Sequence, residues 1–254
     1  MSGKRTETIY GRNPVREALR ARRRRIHQIQ LAEGVIERGL LVEINDLAQA
    51  SGTRIKRVPR TVLDRVTSNH QGVVATVDPF EYGSIKEMLE LAAERGEPPW
   101  ILLLDMIQDP QNLGTLLRTA EAVGVHGVVI PARRSASVTP AVVSASSGAS
   151  EHMIIARGNL ADAIEGLKKA ELWVAGLENT PEASIYWEAD LRGPLGLVVG
   201  NEGTGMRRRV RESCDFLVAI PMRGEIESLN ASVAGAIALY AILERRGLDV
   251  SNGQ

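Results

Sequence analysis

Gly193–Tyr240 reads GPLGLVVGNEGTGMRRRVRESCDFLVAIPMRGEIESLNASVAGAIALY and holds two apolar runs that each stop in a polar loop. The first, Leu195–Val199, ends at Gly200-Asn201-Glu202-Gly203-Thr204-Gly205. A buried strand that empties into a loop with so little side chain lets backbone approach a ligand closely. The second run, Phe216–Ile220, stops at Pro221 and gives way to Arg223–Asn230 before a small-residue helix from Ala231. Ligands of open α/β sheets sit beyond the carboxyl ends of the strands, so two such strand ends imply one site.

Upstream of this stretch, apolar runs and helical periodicities alternate. The spacing predicts strands at Trp100–Leu104, Gly127–Ile130, Met153–Ile155 and Leu172–Ala175, with helices at Leu113–Val123, Pro140–Ser146 and Leu160–Lys169 between them and a closing helix to Arg246. That alternation predicts an α/β fold, a doubly wound, mostly parallel sheet with helices on both faces. Residues 1–78 read as a smaller α/β unit. Its helix Pro14–Ala21, with Asn13 as cap, is followed by a strand at Ile26–Leu31, a helix at Leu40–Ala50, a strand at Arg54–Val58, a turn or two of helix in Thr61–Val66 and a strand at Val73–Val77. Residues 79–96 read as a linker with a helix at Ile85–Glu94, which places the second domain at 97–254; the tail after Leu248 is expected to fray.

The 254 residues suffice for one large or two modest cores, and 31 basic residues balance 31 acidic ones, so net charge announces no nucleic-acid partner. Local clusters carry that question. Arg20–Arg25 contains five arginines, Arg207–Arg211 four, and Arg133-Arg134 follow a strand end; each is either a solvated face or a phosphate contact. One cysteine, Cys214, excludes an internal disulfide framework, and no Cys/His spacing suits a metal. The amino-terminal residues lack the apolar segment of a secretory signal and the longest apolar helix is too short to span a bilayer, so a cytoplasmic protein without membrane contact is expected.

Asp109-Pro110-Gln111-Asn112 follows the first strand of the second domain, with Arg118 further along the same helix. Asn112 is open to two readings, a helix cap or part of an anion or ribose site. Glu225–Asn230 reads either as the approach to a capped helix or as a third ligand loop, and Asn69-His70-Gln71-Gly72 either as a turn or as a contact to a base or ribose. Neither a G-x-G-x-x-G fingerprint nor a phosphate-binding G-x-x-x-x-G-K-[ST] occurs, which disfavours ordinary dinucleotide and nucleoside-triphosphate sites. Three polar loops after strands of one sheet make a pocket.

DPQNLGTLLRTAEAVGV, VVGNEGTGM and IPMRGEIESLNASVAGAIALY resemble, in order and spacing, the three signature motifs of the SpoU-type SPOUT RNA ribose 2′-O-methyltransferases. SSGASEH, YGRNPVREAL and HQGVVA extend the resemblance over nearly the whole chain, in a layout closest to the enzymes that methylate a guanosine of 23S rRNA. The resemblance implies a carboxy-terminal trefoil knot gripping S-adenosyl-L-methionine, a homodimer, no metal, and a front unit that binds RNA. It further implies that Gly200, Ile220 and Leu229, flanked by Val199 and Pro221, hold the cofactor, and that Asn112, Arg118, Glu202, Ser228 and Asn230 form the polar site. Arg22, Arg23, Arg24 and His70 are then the expected RNA contacts. Arg118 is either the base of the reaction or a charged group facing the developing alkoxide.

Overall fold

The computed structural model describes residues 6–226 and 228–247. The expected frayed tail lies outside them. Two compact units result. One comprises the described residues up to Glu81 together with Ser137–His152; the other comprises Tyr82–Ala136 and the described residues from Met153.

The first unit contains β1 (Glu7–Tyr10), α1 (Arg12–Ala21), β2 (Ile26–Ala32), α2 (Leu40–Ala50), β3 (Ile55–Val58), α3 (Arg60–Asp64) and β4 (Val73–Val77). Its sheet runs β1-β4-β2-β3, antiparallel except for the β2–β3 pair. Ile9, Val15, Ile29, Leu31, Leu41 and Ile44 are fully buried between the sheet and its helices. β1 is short and half polar, and its pairing partner β4 lies far along the chain, so local pattern does not reveal it. Asn13 does not cap α1. The cap position belongs to Gly11, and the side chain of Gln71 accepts the Arg12 N–H at 3.0 Å in its place.

Ser137–His152, which the sequence pattern assigns to the second domain, packs with this first unit. Its short helix follows Thr139 and rests on β1, and the 3₁₀ turn at Ala149–Glu151 rests on α1. The attachment is ionic as well as apolar. Glu151, 1% exposed, accepts two bonds from Arg24, from Nε at 3.0 Å and from a terminal nitrogen. His152 Nε2 meets Glu17 at 2.8 Å.

The second unit begins with α4 (Ile85–Arg95), whose Ser84 and Glu87 form a reciprocal capping box, and β5 (Trp100–Leu104). α5 (Pro110–Ala122) and β6 (Gly127–Pro131) follow, and α6 (Pro140–Ala145) is the short helix lent to the first unit. Next come β7 (Ile155–Gly158), α7 (Leu160–Lys169), β8 (Trp173–Leu177), β9 (Ser184–Ile185), β10 (Leu195–Val199), α8 (Arg208–Ser213), β11 (Phe216–Ala219) and α9 (Ala231–Arg246). All strand pairs are parallel, in the order β7-β6-β5-β10-β8-β11-β9. Val198 belongs to a core with Met88, Ile164 and Val210, from α4, α7 and α8. Its neighbour Val199 lies near Gly235 of α9, which packs closely on Leu116 of α5. Adjacent residues of a strand face opposite sides, so helices cover both faces, as expected of a doubly wound sheet.

The chain leaves β5 toward β7, returns on the other side at β8, and then inserts β10 between β5 and β8. This reversal of direction puts the switch point at the ends of β5 and β10, where the loops diverge and leave a crevice.

Candidate functional site

Asp109 caps α5, its side chain accepting the Gln111 N–H at 2.9 Å with Pro110 in the first turn. Asn112 is therefore one turn inside the helix, and its amide is available for other bonds. Its Nδ2 donates to Glu202 at 2.8 Å. Asn230, the true cap of α9, accepts Ser232 N–H at 2.9 Å and Ser232 hydroxyl at 2.6 Å on Oδ1. Its Nδ2 donates to Asn112 Oδ1 at 3.1 Å and to Glu202 Oε1. The same Glu202 oxygen accepts Ala231 N–H at 3.2 Å. One carboxylate oxygen thus receives a backbone and two side-chain donors from the starts of two helices, where negative charge is favoured. Loops that follow β5, β10 and β11 meet there.

Beside this node lies a cavity of about 400 Å³ at the carboxyl ends of β8, β10 and β11. Val199, Gly200, Ile220 and Leu229 line it, as do Glu202 and Ser228. Pro221, expected with them, is exposed and is not among the lining residues. The end of β8 contributes Glu178, Asn179 and Thr180, which sequence reasoning missed; Leu177 followed by three polar residues and Pro181 is the same strand-then-polar-loop signal.

The glycine loop is held from two directions. A Cβ on Gly200 would stand 2.5 Å from the Gly205 carbonyl carbon and 2.6 Å from Met206 N, and Gly205 has φ +64, so both positions require glycine. Asp105, fully buried at the end of β5, accepts the Arg207 backbone N–H at 2.7 Å and its guanidinium at 2.7 and 2.8 Å. Asn201 Nδ2 donates to Met106 O at 3.1 Å. Sequence reasoning missed Asp105, and Arg207, which belongs to the Arg207–Arg211 cluster, is neither a purely solvated face nor a free phosphate contact. Burial pushes the Cys214 thiol up to about 12, so it stays protonated and does not serve as a nucleophile.

Arg118 is exposed on α5, six residues beyond Asn112, which in an α-helix is about 9 Å along the axis and about 120° round it. The two side chains leave different faces.

The front-unit residues divide. Arg22 and Arg23 are exposed, whereas the Arg24 side chain is 3% exposed and paired with Glu7 and Glu151, so it holds structure rather than facing RNA. His70 is likewise fully buried. Gly72 N–H donates to its Nδ1 at 2.8 Å and its Nε2 meets Asp64 at 2.9 Å, so the turn reading holds and no ring nitrogen is left for a base. Among the described residues no helix is long and apolar enough to cross a membrane, and no three His, Cys, Asp or Glu side chains cluster for a metal.

Comparison with known proteins agrees with this geometry. Residues 99–240 match the SpoU rRNA Methylase family, and residues 8–83 match the RNA 2′-O ribose methyltransferase substrate-binding family. YacO of Bacillus subtilis (strain 168), whose name assigns it provisionally to the TrmH family of tRNA/rRNA methyltransferases, is 42% identical over 240 residues, 94% of this chain and 95% of YacO. A crystal structure of an RNA 2′-O ribose methyltransferase superposes with a TM-score of 0.76 at 28% identity, covering 96% of this chain and 90% of that one. The fold also matches that of the SpoU methyltransferase AviRb from Streptomyces viridochromogenes, solved in complex with AdoMet, with a TM-score of 0.77 at 22% identity over 95% and 90% of the two chains. The chain belongs to the SpoU/TrmH family of RNA methyltransferases.

Proposed function

We propose that the chain methylates a ribose 2′-hydroxyl of RNA with S-adenosyl-L-methionine, in the cavity beside Glu202. The observation that carries this reading is the node of Asn112, Glu202 and Asn230, which joins three strand-end loops. A cavity of about 400 Å³ suits a nucleoside-sized donor. Val199, Ile220 and Leu229 give apolar walls for a purine, and Glu178, Asn179, Thr180 and Ser228 give polar groups for the ribose and amino-acid ends. The donor supplies, when bound, a methyl group on a positively charged sulfur, and the carboxylate of Glu202 suits that charge, whereas Glu178 is paired with Arg211 at 3.0 Å.

The chain's own tasks are to orient the ribose oxygen and relieve it of its proton. Glu202 accepts three bonds on one oxygen and so acts as an organiser of the loops rather than a base. Arg118 carries a guanidinium, which offers only hydrogen-bond donors, so its part is to stabilise the developing alkoxide while an RNA phosphate or water takes the proton. Its placement on a different face of α5 from Asn112 favours a site completed by a second protomer. Exposed Val233 and Tyr240 on α9 and nearby Trp187 supply an apolar face for such a homodimer. The knotted threading of the segment from β10 to α9 belongs to the same reading.

The substrate we favour is a guanosine of 23S rRNA, acted on in the cytoplasm, because a whole front unit precedes the catalytic one; tRNA is the second reading, since the name of the Bacillus subtilis relative carries both RNAs. A non-catalytic RNA-binding factor has no use for the three-loop node. The test is transfer of labelled methyl groups to separate rRNA and tRNA pools, followed by mapping of ribose methylation. Label confined to tRNA would move the substrate, and no label on either RNA despite bound S-adenosyl-L-methionine would remove the enzymatic reading. Arg118→Ala is expected to slow transfer roughly 10²–10³-fold while leaving donor affinity within about twofold.

A further inference from the structure

The first unit has a concavity of its own, of about 460 Å³, at the end of β2, the start of β4 and the start of α1. Arg12, Glu33, Gly34, Arg60, Gln71 and Gly72 line it. The wall is fixed rather than adaptable. Gln71 has φ 53, a left-handed backbone that a non-glycine residue adopts at some cost, and it is held there from both sides. On one side its Oε1 accepts the Arg12 N–H and its backbone oxygen accepts Arg12 Nε at 3.1 Å, which orients the guanidinium plane. On the other, buried His70 grips Gly72 N–H at 2.8 Å and is itself braced by Asp64.

The chemistry of the lining is mixed in an informative way. Two guanidiniums suit a phosphate, and a planar guanidinium also suits stacking on a base. Glu33 would repel a bare phosphate, but a carboxylate accepts hydrogen bonds from the amino groups of guanine or cytosine. The Oε1 of Gln71 is taken by the Arg12 N–H, which leaves its amide nitrogen to donate at a base edge. A half-open cup of this size admits one nucleotide turned out of its stack and is too small to take in a double helix.

We propose that this cup is a subsite for a single unpaired ribonucleotide of the substrate RNA, with Arg12 and Arg60 on its phosphate and Glu33 and Gln71 on the edge of a guanine or cytosine. It rests on the RNA-methylating reading for its biological meaning, but binding can be tested without methylation.

Fluorescence anisotropy of the full chain with a labelled RNA hairpin bearing an unpaired G-containing loop, and with a blunt RNA duplex of equal length, separates the outcomes. Arg12→Gln/Arg60→Gln is expected to weaken hairpin binding roughly tenfold or more, to lower the salt slope by about one per cation removed, and to spare the duplex. Arg60→Gln alone, at an exposed position, guards against misfolding and is expected to lose affinity several-fold. Glu33→Gln is expected to erase a preference for the G-containing loop over an all-U loop. Unchanged hairpin affinity in both arginine variants, or equal loss for hairpin and duplex, overturns the subsite. Calorimetry with S-adenosyl-L-methionine on the same variants is expected to be unchanged. Hairpin binding through this cup by a chain that methylates nothing would remove the proposed activity and leave the subsite standing.

Discussion

Glu151 and Glu202 are both glutamates that join distant parts of the chain, and the protein uses them in opposite ways. Glu151 is buried, and its two oxygens are taken by Arg24, 127 residues away in sequence. Glu202 is exposed, and a single oxygen gathers amide donors from Asn230, Asn112 and Ala231, at separations of 28, 90 and 29 residues. A buried ion pair gains its attraction in a medium where an unpaired charge is very unfavourable, so it fixes a segment in place. An exposed node of neutral donors contributes little to folding but sets the relative positions of three loops without closing the cavity beside them. The pair separates stability from function within one residue type.

The comparison is tested most severely by removing each carboxylate. Glu151→Ala strands the Arg24 guanidinium and is expected to destabilise the first unit by about 3–5 kcal/mol, while a paired apolar replacement of both residues recovers most of that. Denaturant titration followed by far-ultraviolet circular dichroism reads the loss. Tryptophan fluorescence is expected to shift less, because Trp100, Trp173 and Trp187 all belong to the second unit.

Glu202→Ala is expected to change stability by less than about 1 kcal/mol, as for exposed polar contacts, yet to weaken S-adenosyl-L-methionine binding roughly tenfold by freeing the three loops. Equal destabilisation by the two substitutions, in the same denaturant titration, would break the contrast.

The smallest effect concerns pH. His126, 1% exposed, accepts Trp100 N–H at 3.0 Å on Nδ1, and burial lowers its pKa below the ordinary 6.5 despite the nearby Glu97 carboxylate. In the unfolded chain the imidazole takes up its proton near 6.5, and in the folded chain it does so only at lower pH. Its contribution is therefore complete above about 6.5 and is lost as the pH falls from there through the lower pKa of the folded state. The midpoint of thermal unfolding is expected to fall between pH 7 and pH 5 by less in His126→Gln than in the parent protein. An equal fall in both would show that His126 does not titrate across unfolding.

The parallel sheet was legible because its strands are covered on both faces and so appear as unbroken apolar runs: Trp100–Leu104 and Leu195–Val199 match residue for residue. The cavity was legible for the same reason, as polar loops that follow such runs. What local pattern could not supply was long-range pairing. Cap chemistry misled at Asn13, where Gln71 satisfies the helix start, and of the two readings of Asn112 the cap falls away because Asp109 holds that place. Arg24 and His70 read as RNA contacts, but Arg24 is enclosed with Glu151, 127 residues away, and His70 is taken up by its local turn with Asp64 and Gly72. β9, two residues long, has no periodicity to detect, and α8 lies within an arginine run that reads as charge rather than helix.

The insertion of β10 between β5 and β8 has a consequence for biogenesis. Both flanking strands precede it in the chain, so a polypeptide emerging from the ribosome must keep an open seam in its sheet until Leu195–Val199 arrives to fill it. During that interval one edge of β5 and both edges of β8 are available to any other chain, since β11 follows later still, which makes the nascent form, rather than the finished protein, the species most in need of chaperone protection.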